Sequence, residues 1–234
     1  MSYGISRPTM REVLRSLETD GLVKRIHGVG TFVTRNEPLV RTALDLDVGV
    51  TEAVAAAHAT LGIELIRTAT EAAPAWAAVA LELPQGGTVL AVERIIRVNG
   101  TPAVHGLDMI PERLTGERGA AAYDGGSVYH FLEHECRLHL VGGVAEVTAV
   151  AATPRLAGYL GISRNSPLLR LDQIEKASDG RPVLFSREHY APGVFSLMVR
   201  RLRHQRADLT AGAASVAALD PPPAGKEVGP GRHH

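Results

Sequence analysis

The sequence predicts an α+β protein in which a helix and a β-hairpin precede a larger antiparallel sheet with helices packed on it. Three observations carry this. Met10, Val13, Leu14 and Leu17 recur at helical spacing, and two short β-prone runs follow, separated by a glycine-bearing turn. Further on, Leu61–Thr70 and Thr88–Val98 read as strands flanking a helical PAWAAVALEL. Finally, Asn99-Gly100 and the run Ser178-Asp179-Gly180 mark tight turns between β-prone runs.

In chain order, Ser6 can serve as N-cap and Pro8 is tolerated in a first helical turn, so a helix spans about Arg7 to Thr19 until Gly21 ends it. Arg7, Arg11 and Arg15 lie four apart and form one row beside the apolar face. Leu22 to Arg25 and Thr31 to Arg35 then read as two strands joined by Ile26 to Gly30. Residues 36–46 carry turn residues without a sustained period and read as a linker between a first unit, 1–35, and a second, 47–203. Within the second unit, Pro74 opens a helix and Ala103 to Ile110 forms a strand after the Asn99-Gly100 turn. Ser127 caps a helix through about Glu135, and Arg137 to Thr153 is extended. A helix covers Pro154 to Leu160, and Leu168–Ala177 with Pro182–Tyr190 make a last hairpin. Residues 204–234 are rich in Ala, Pro and Gly and read as a disordered tail.

Composition narrows the class. With 234 residues, 45% hydrophobic and 21% charged, the chain can bury a substantial core. A single Cys136 excludes an intramolecular disulfide, and no apolar run suggests a signal peptide or membrane span, which points to the cytoplasm. Net charge is zero, yet Arg7, Arg11, Arg15, Lys24, Arg25 and Arg35 outnumber Glu12, Glu18 and Asp20 in the opening segment. Positive charge is therefore concentrated on the helix–hairpin unit, as a DNA-contacting surface requires.

The runs SRPTMREVLRSLE, DGLV and HGVGTFV together resemble the recognition helix and wing of the GntR family of bacterial transcription regulators. The resemblance implies a partial winged helix-turn-helix: base readout by Arg7 and Arg11, phosphate contacts from Ser6 and Thr9, and wing contacts from His27 and Gly28. The chemistry agrees, because an arginine fork matches guanine O6 and N7 while hydroxyls suit phosphates. The alternative is that these arginines only solvate a helix face. In this family two further helices precede the recognition helix, so the apolar face of Met10, Val13, Leu14 and Leu17 is expected to want a cover. An upstream start codon or a fragment of weakened DNA affinity would explain the segment as written.

The phrases VLAVERIIRVNGTPAVHGLDMIPERL, GSVYHFL and LAGYLGISRNSPLLRLDQIEKASDGRPVLFSREHYAPGVFSLMVRR, in that order, resemble the UTRA effector-binding domain of the HutC-type branch. That domain shares its fold with chorismate lyase. The resemblance implies double-stranded operator DNA and a small-molecule effector as partners, a homodimer, and a repressor that releases DNA when the effector binds. Arg94, Ser127, Tyr129, Ser186, Glu188 and Tyr190 are the candidate effector contacts. Arg94 stands where the family often has the first of two arginines two apart, and an arginine fork suits a carboxylate or phosphate, so an anionic effector is among the candidates. The second position holds Ile96, and Gly106 and Met109 replace the family's frequent glutamate and tyrosine, leaving His105 and Asp108 nearby. Ser127 could hold an anion at a helix N-terminus or act only as an N-cap. Ser186, Glu188 and Tyr190 alternate on one strand face, which either lines a pocket or meets solvent.

No cofactor or metal is expected. His130 and His134 share a helix face near Glu133, Glu135, Cys136 and His139, but the order H-F-L-E-H matches no zinc motif, and His233 and His234 fall in the tail. Nor does the second unit contain a nucleophile elbow or paired-carboxylate motif. A regulator rather than an enzyme follows; the alternative is a small-molecule-binding protein or chorismate-lyase-like enzyme that does not bind DNA.

Overall fold

A computed structural model describes residues 6–19, 23–26, 30–33, 38–45, 48–116 and 119–200. The first helix, α1, spans Arg7–Thr19. Ser6 caps it as expected: the Thr9 N–H donates to Ser6 Oγ at 3.3 Å, and the Met10 N–H donates to the Ser6 carbonyl at 3.0 Å. Strands β1 (Val23–Ile26) and β2 (Gly30–Val33) pair antiparallel, one to two residues displaced from the expected bounds. The helix and wing are thus present, while the turn residues His27 and Gly28 lie outside the described residues.

The segment read as a linker contains a strand. Here β3 (Val40–Ala43) pairs in parallel with β10 (Phe195–Met198), and Val40 is fully buried. Four residues are too few to display a period, and the partner lies at the far end of the domain, so nothing local announces the strand. Helix α2 (Val50–Ala56) was likewise unanticipated; it turns Val50, Ala53 and Val54 inward.

The remaining elements form a six-stranded antiparallel sheet of order β4-β5-β6-β9-β8-β7. Its strands are β4 (Leu61–Ala72), β5 (Thr88–Val98), β6 (Thr101–Pro111), β7 (Leu140–Ala151), β8 (Pro167–Ala177) and β9 (Pro182–Tyr190). Helix α3 (Ala75–Ala80) links β4 to β5, and α5 (Pro154–Leu160) links β7 to β8. Each half is therefore strand, helix, strand, hairpin, strand, and the halves meet where β6 pairs with β9. The Asn99-Gly100 turn between β5 and β6 has φ of 51° and 81°, the paired left-handed geometry that an Asn-Gly turn accommodates.

Both faces of the sheet are covered. On one, α3 and α5 bury Ala77, Leu81, Val89, Met109 and Phe185 in one cluster and Leu156, Ala157, Leu160 and Leu168 in another. On the other, α2 packs over Ile96, Val104, Leu171 and Tyr190. Helix α4 (Val128–His130), which widens into a π-turn through Glu135, packs with Phe131 and Leu132 over Leu90, Val92, Ile110 and Leu184. Consequently every residue of β9 is buried, and its charged side chains must find partners inside. On the α3/α5 face Arg187 forms a bidentate pair with Asp172, 2.7 Å for each bond, and lies over the Trp76 ring; His105 bonds Glu93 at 2.9 Å. His189, beside them, is driven down to about 3 by burial and then by His105, Arg187 and Arg170, so it stays neutral.

Phe185 is fully buried with its ring 4.8 Å edge-on from Trp76. Phe185→Ala should lower unfolding free energy by about 3–5 kcal/mol. Urea unfolding followed by fluorescence of Trp76, the sole tryptophan, reads this; an unchanged midpoint would contradict the packing described.

Candidate functional site

Two surfaces carry functional chemistry. The first is α1 with its wing. Ser6 Oγ and Thr9 Oγ1 are hydrogen bonded at 2.7 Å and both residues are exposed, so two hydroxyls stand together at the helix start. Arg11 and Arg15 are exposed one turn apart and, with Arg25, Glu12 and Glu18, border a concave surface between helix and wing. Glu18 accepts the Arg25 N–H at 3.2 Å, which ties the wing's first strand to the helix. Arg7 is the first residue of α1, and its side chain is outside the described residues. Met10 and Val13 are exposed at 38% and 45%, so the apolar face is uncovered among the described residues.

The second surface is a recess between the sheet, α2 and α4. Strand register explains its lining. Arg94 on β5 pairs with Gly106 on β6, Gly106 pairs with Glu188 on β9, and Asp108 pairs with Ser186, so these residues share one sheet face. They form a polar row between the apolar clusters under α2 and under α4. Glu52, Asp108, Ser127, Tyr129, Gln173 and Ser186 line the recess together with Arg94 and Glu188. A wider cavity of about 410 Å³ adjoins it, sharing Val50, Gln173 and Glu188; Thr42 to Asp45, Glu175 and Tyr190 also border it.

The structure therefore gathers Arg94, Ser127, Tyr129, Ser186 and Glu188 around the recess and Glu188 and Tyr190 around the wider cavity beside it. Their pairings differ from expectation. The Arg94 fork does not stand open for an anion: it meets Asp108 Oδ2 at 3.1 Å, the Gly126 carbonyl at 2.8 Å and Tyr123 Oη at 3.3 Å. Burial works against its charge, but Asp108 and the neighbouring Tyr123 and Glu188 hold its pKa above the usual value. Ser127 is an N-cap, accepting the His130 N–H at 3.1 Å, while its hydroxyl donates to Glu52 at 2.7 Å. That carboxylate already occupies the place an effector anion was expected to take. Ser186 donates to Asp108 at 2.7 Å, and Tyr129 donates to Glu175 at 3.2 Å.

Of the two nearby polar candidates, Asp108 joins the recess and His105 does not, while Glu52 and Gln173 were not among the expected contacts. The Asn99-Gly100 turn alone would set His105 opposite Arg94; the irregularity between Ile96 and Arg97 shifts the register by one, so that Gly106 faces Arg94, Asp108 joins the Arg94 face and His105 lies on the other. Glu52 and Gln173 reach the site only through tertiary packing. His130 and His134 do share a face, with ring centroids 4.1 Å apart on the helix surface.

Glu188 is the most perturbed acid of the recess. Burial raises its pKa and Asp108 adds to this, against the hydrogen bond from Tyr190 at 2.5 Å and the charge of Arg94; the result is about 7. The folded state thus holds this proton more tightly than the unfolded chain, where a glutamate titrates near its ordinary value. This group's contribution is fully present below the unfolded pKa and is lost as pH rises through about 7. Glu188→Gln, which keeps an acceptor for Tyr190, should flatten the decline in unfolding free energy between about pH 5 and pH 8 by on the order of 1–3 kcal/mol. Denaturant titrations of both proteins across that range measure the difference, and parallel pH profiles would refute the assignment.

Comparison with known proteins gives the context. Residues 56–196 match the UTRA domain, and residues 1–33 match the bacterial regulatory proteins of the gntR family. The chain is 28% identical over 178 residues to the HTH-type transcriptional repressor NagR of Bacillus subtilis, covering 76% of this chain and 72% of that protein. It is 31% identical over 171 residues to the histidine utilization repressor of Pseudomonas putida, covering 71% of this chain and 65% of the relative. The crystal structure of PhnF from Mycobacterium smegmatis superposes with a TM-score of 0.66 at 22% identity, covering 86% of this chain and 88% of that one, a likeness of fold. Among the described residues no helix is long and apolar enough to cross a membrane. With a gntR-type helix and wing followed by a UTRA domain built on a six-stranded sheet, the chain belongs to the UTRA-domain transcription regulators of the gntR family.

Proposed function

We propose that this protein is a cytoplasmic repressor that binds operator DNA as a homodimer and releases it when a small molecule enters the space between α2, α4 and the sheet. The observation that carries the reading is a buried polar row, Arg94, Asp108, Ser186 and Glu188, facing a cavity inside a UTRA-type domain. Close packing normally excludes such a row from a core, and its retention beside a cavity suits recognition. The relatives named as repressors support the direction of control. DNA reading is assigned to residues 1–35 and effector binding to 47–203 together with Thr42 to Asp45, which border the wider cavity. Ser6 and Thr9 contact phosphates, Arg7 and Arg11 read bases, and His27 and Gly28 serve the wing.

The protein acts by binding and not by turnover, so chorismate incubated with it should remain unconverted. An anionic effector would have to displace Asp108 from Arg94 or Glu52 from Ser127, because both anion-binding groups already have carboxylate partners.

Selection of bound duplexes from a random pool, followed by gel-shift titration, tests the DNA reading. Arg11→Ala should weaken the selected site by about tenfold or more, the loss expected for one arginine fork on a base pair. Raising salt from 50 to 200 mM should weaken it at least about tenfold as phosphate contacts release counterions. Failure of the pool to yield any enriched sequence would sink the reading.

A further inference from the structure

We propose that the effector is an organic cation, an amine or amidine on an apolar body, held by the carboxylates that ring the adjoining cavities. The inference rests on the reading of this space as the effector site. Five carboxylates line it: Glu52 and Asp108 in the recess, Asp45 and Glu175 in the wider cavity, and Glu188 between them. Arg94 is the only basic side chain among the described residues that line either space, and it is 5% exposed and committed to Asp108. A phosphate or carboxylate entering here would meet the negative charge of five carboxylates, with the Arg94 Nε–H and the Gln173 amide as donors to set against it.

Glu188 supplies a second, independent observation. It is 5% exposed, one of its oxygens accepts the Tyr190 hydroxyl, and the other has no donor among the described residues while the residue borders both cavities. A buried carboxyl with a vacant acceptor facing a cavity wants a hydrogen-bond donor, and an ammonium or amidinium offers several with the complementary charge. The elevated pKa fits this, since the groups facing Glu188 in the empty site are Asp108 from β6, Arg94 from β5 and Tyr190 from its own strand. The walls of the wider cavity, with Val48, Val50, Leu171 and Leu197, provide the apolar surface for the body of the molecule.

Thermal-shift titration of the intact chain with butylamine, benzylamine and agmatine, set against butyrate, benzoate and glucose 6-phosphate at equal ionic strength, decides the matter. Amines should raise the melting temperature, more strongly at pH 8 than at pH 6 as Glu188 loses its proton, while the anions should not. Glu188→Gln should weaken amine binding at least about tenfold, the loss expected for a charge-assisted hydrogen bond, and Asp45→Asn on the exposed rim should weaken it without disturbing the buried row. Binding of an anion but of no amine would overturn the cation assignment and leave the effector reading standing. Amine binding indifferent to both substitutions would overturn it too. If no compound of either charge shifts the melting temperature, the assignment falls together with the effector reading.

Discussion

The pairing of β6 with β9 is the interaction on which the rest of this domain depends. It joins two halves that are each built from a strand, a helix and a hairpin, and nothing else in the sheet connects them. Because helices cover both faces, a central pair would ordinarily be apolar throughout. Here it alternates polar groups to either side: Asp108, Glu188 and Ser186 toward α2 and α4, His105, Arg187 and His189 toward α3 and α5. Ser186 ties β9 to β6 across the junction by donating to Asp108, while Arg94 with Asp108 and Arg187 with Asp172 bind the two junction strands to their neighbours within each half. Removing one member would leave the other buried and uncompensated, a larger cost than the pair's own net contribution.

The two faces use this constraint differently. Toward α3 and α5 the charges are enclosed by aromatic rings: Arg187 lies over Trp76, and His105 stacks on Tyr159 at 5.5 Å. Toward α2 and α4 the polar row borders cavities. The same strand thus supplies a closed network of ion pairs and rings on one side and a row of cavity-lining polar groups on the other. Side-chain alternation, one residue up and the next down, is all that separates the two roles.

Much of this was legible from residue order. The helix caps at Ser6 and Ser127, the Asn-Gly hairpin and the long strands each rest on local chemistry that tertiary context did not override. The alternation of Ser186, Glu188 and Tyr190 put them on one face, and of the two surroundings left open for that face, pocket or solvent, the fold gives it cavities. What escaped reading was non-local. Strand β3 exists only because β10 lies beside it, and α2 is seven residues whose reason for being helical is the core it covers. The commitment of Arg94 to Asp108 was hidden for the same cause, since an arginine's partner is set by strand register and not by its neighbours in sequence. An exposed-looking fork on paper became a buried ion pair in space.

The parallel pairing of β3 with β10 has a geometric consequence. Thr42, Ala43 and Leu44, at the end of β3, form part of the cavity wall, while Val33 ends the wing. Residues 34–39 are the whole of the chain between β2 and β3. At no more than about 3.6 Å per residue, this segment cannot hold the wing farther than roughly 25 Å from the start of β3. The strand whose end forms part of the cavity wall is also the anchor of a short leash on the wing, so the wing is confined to a sphere centred on the start of that strand.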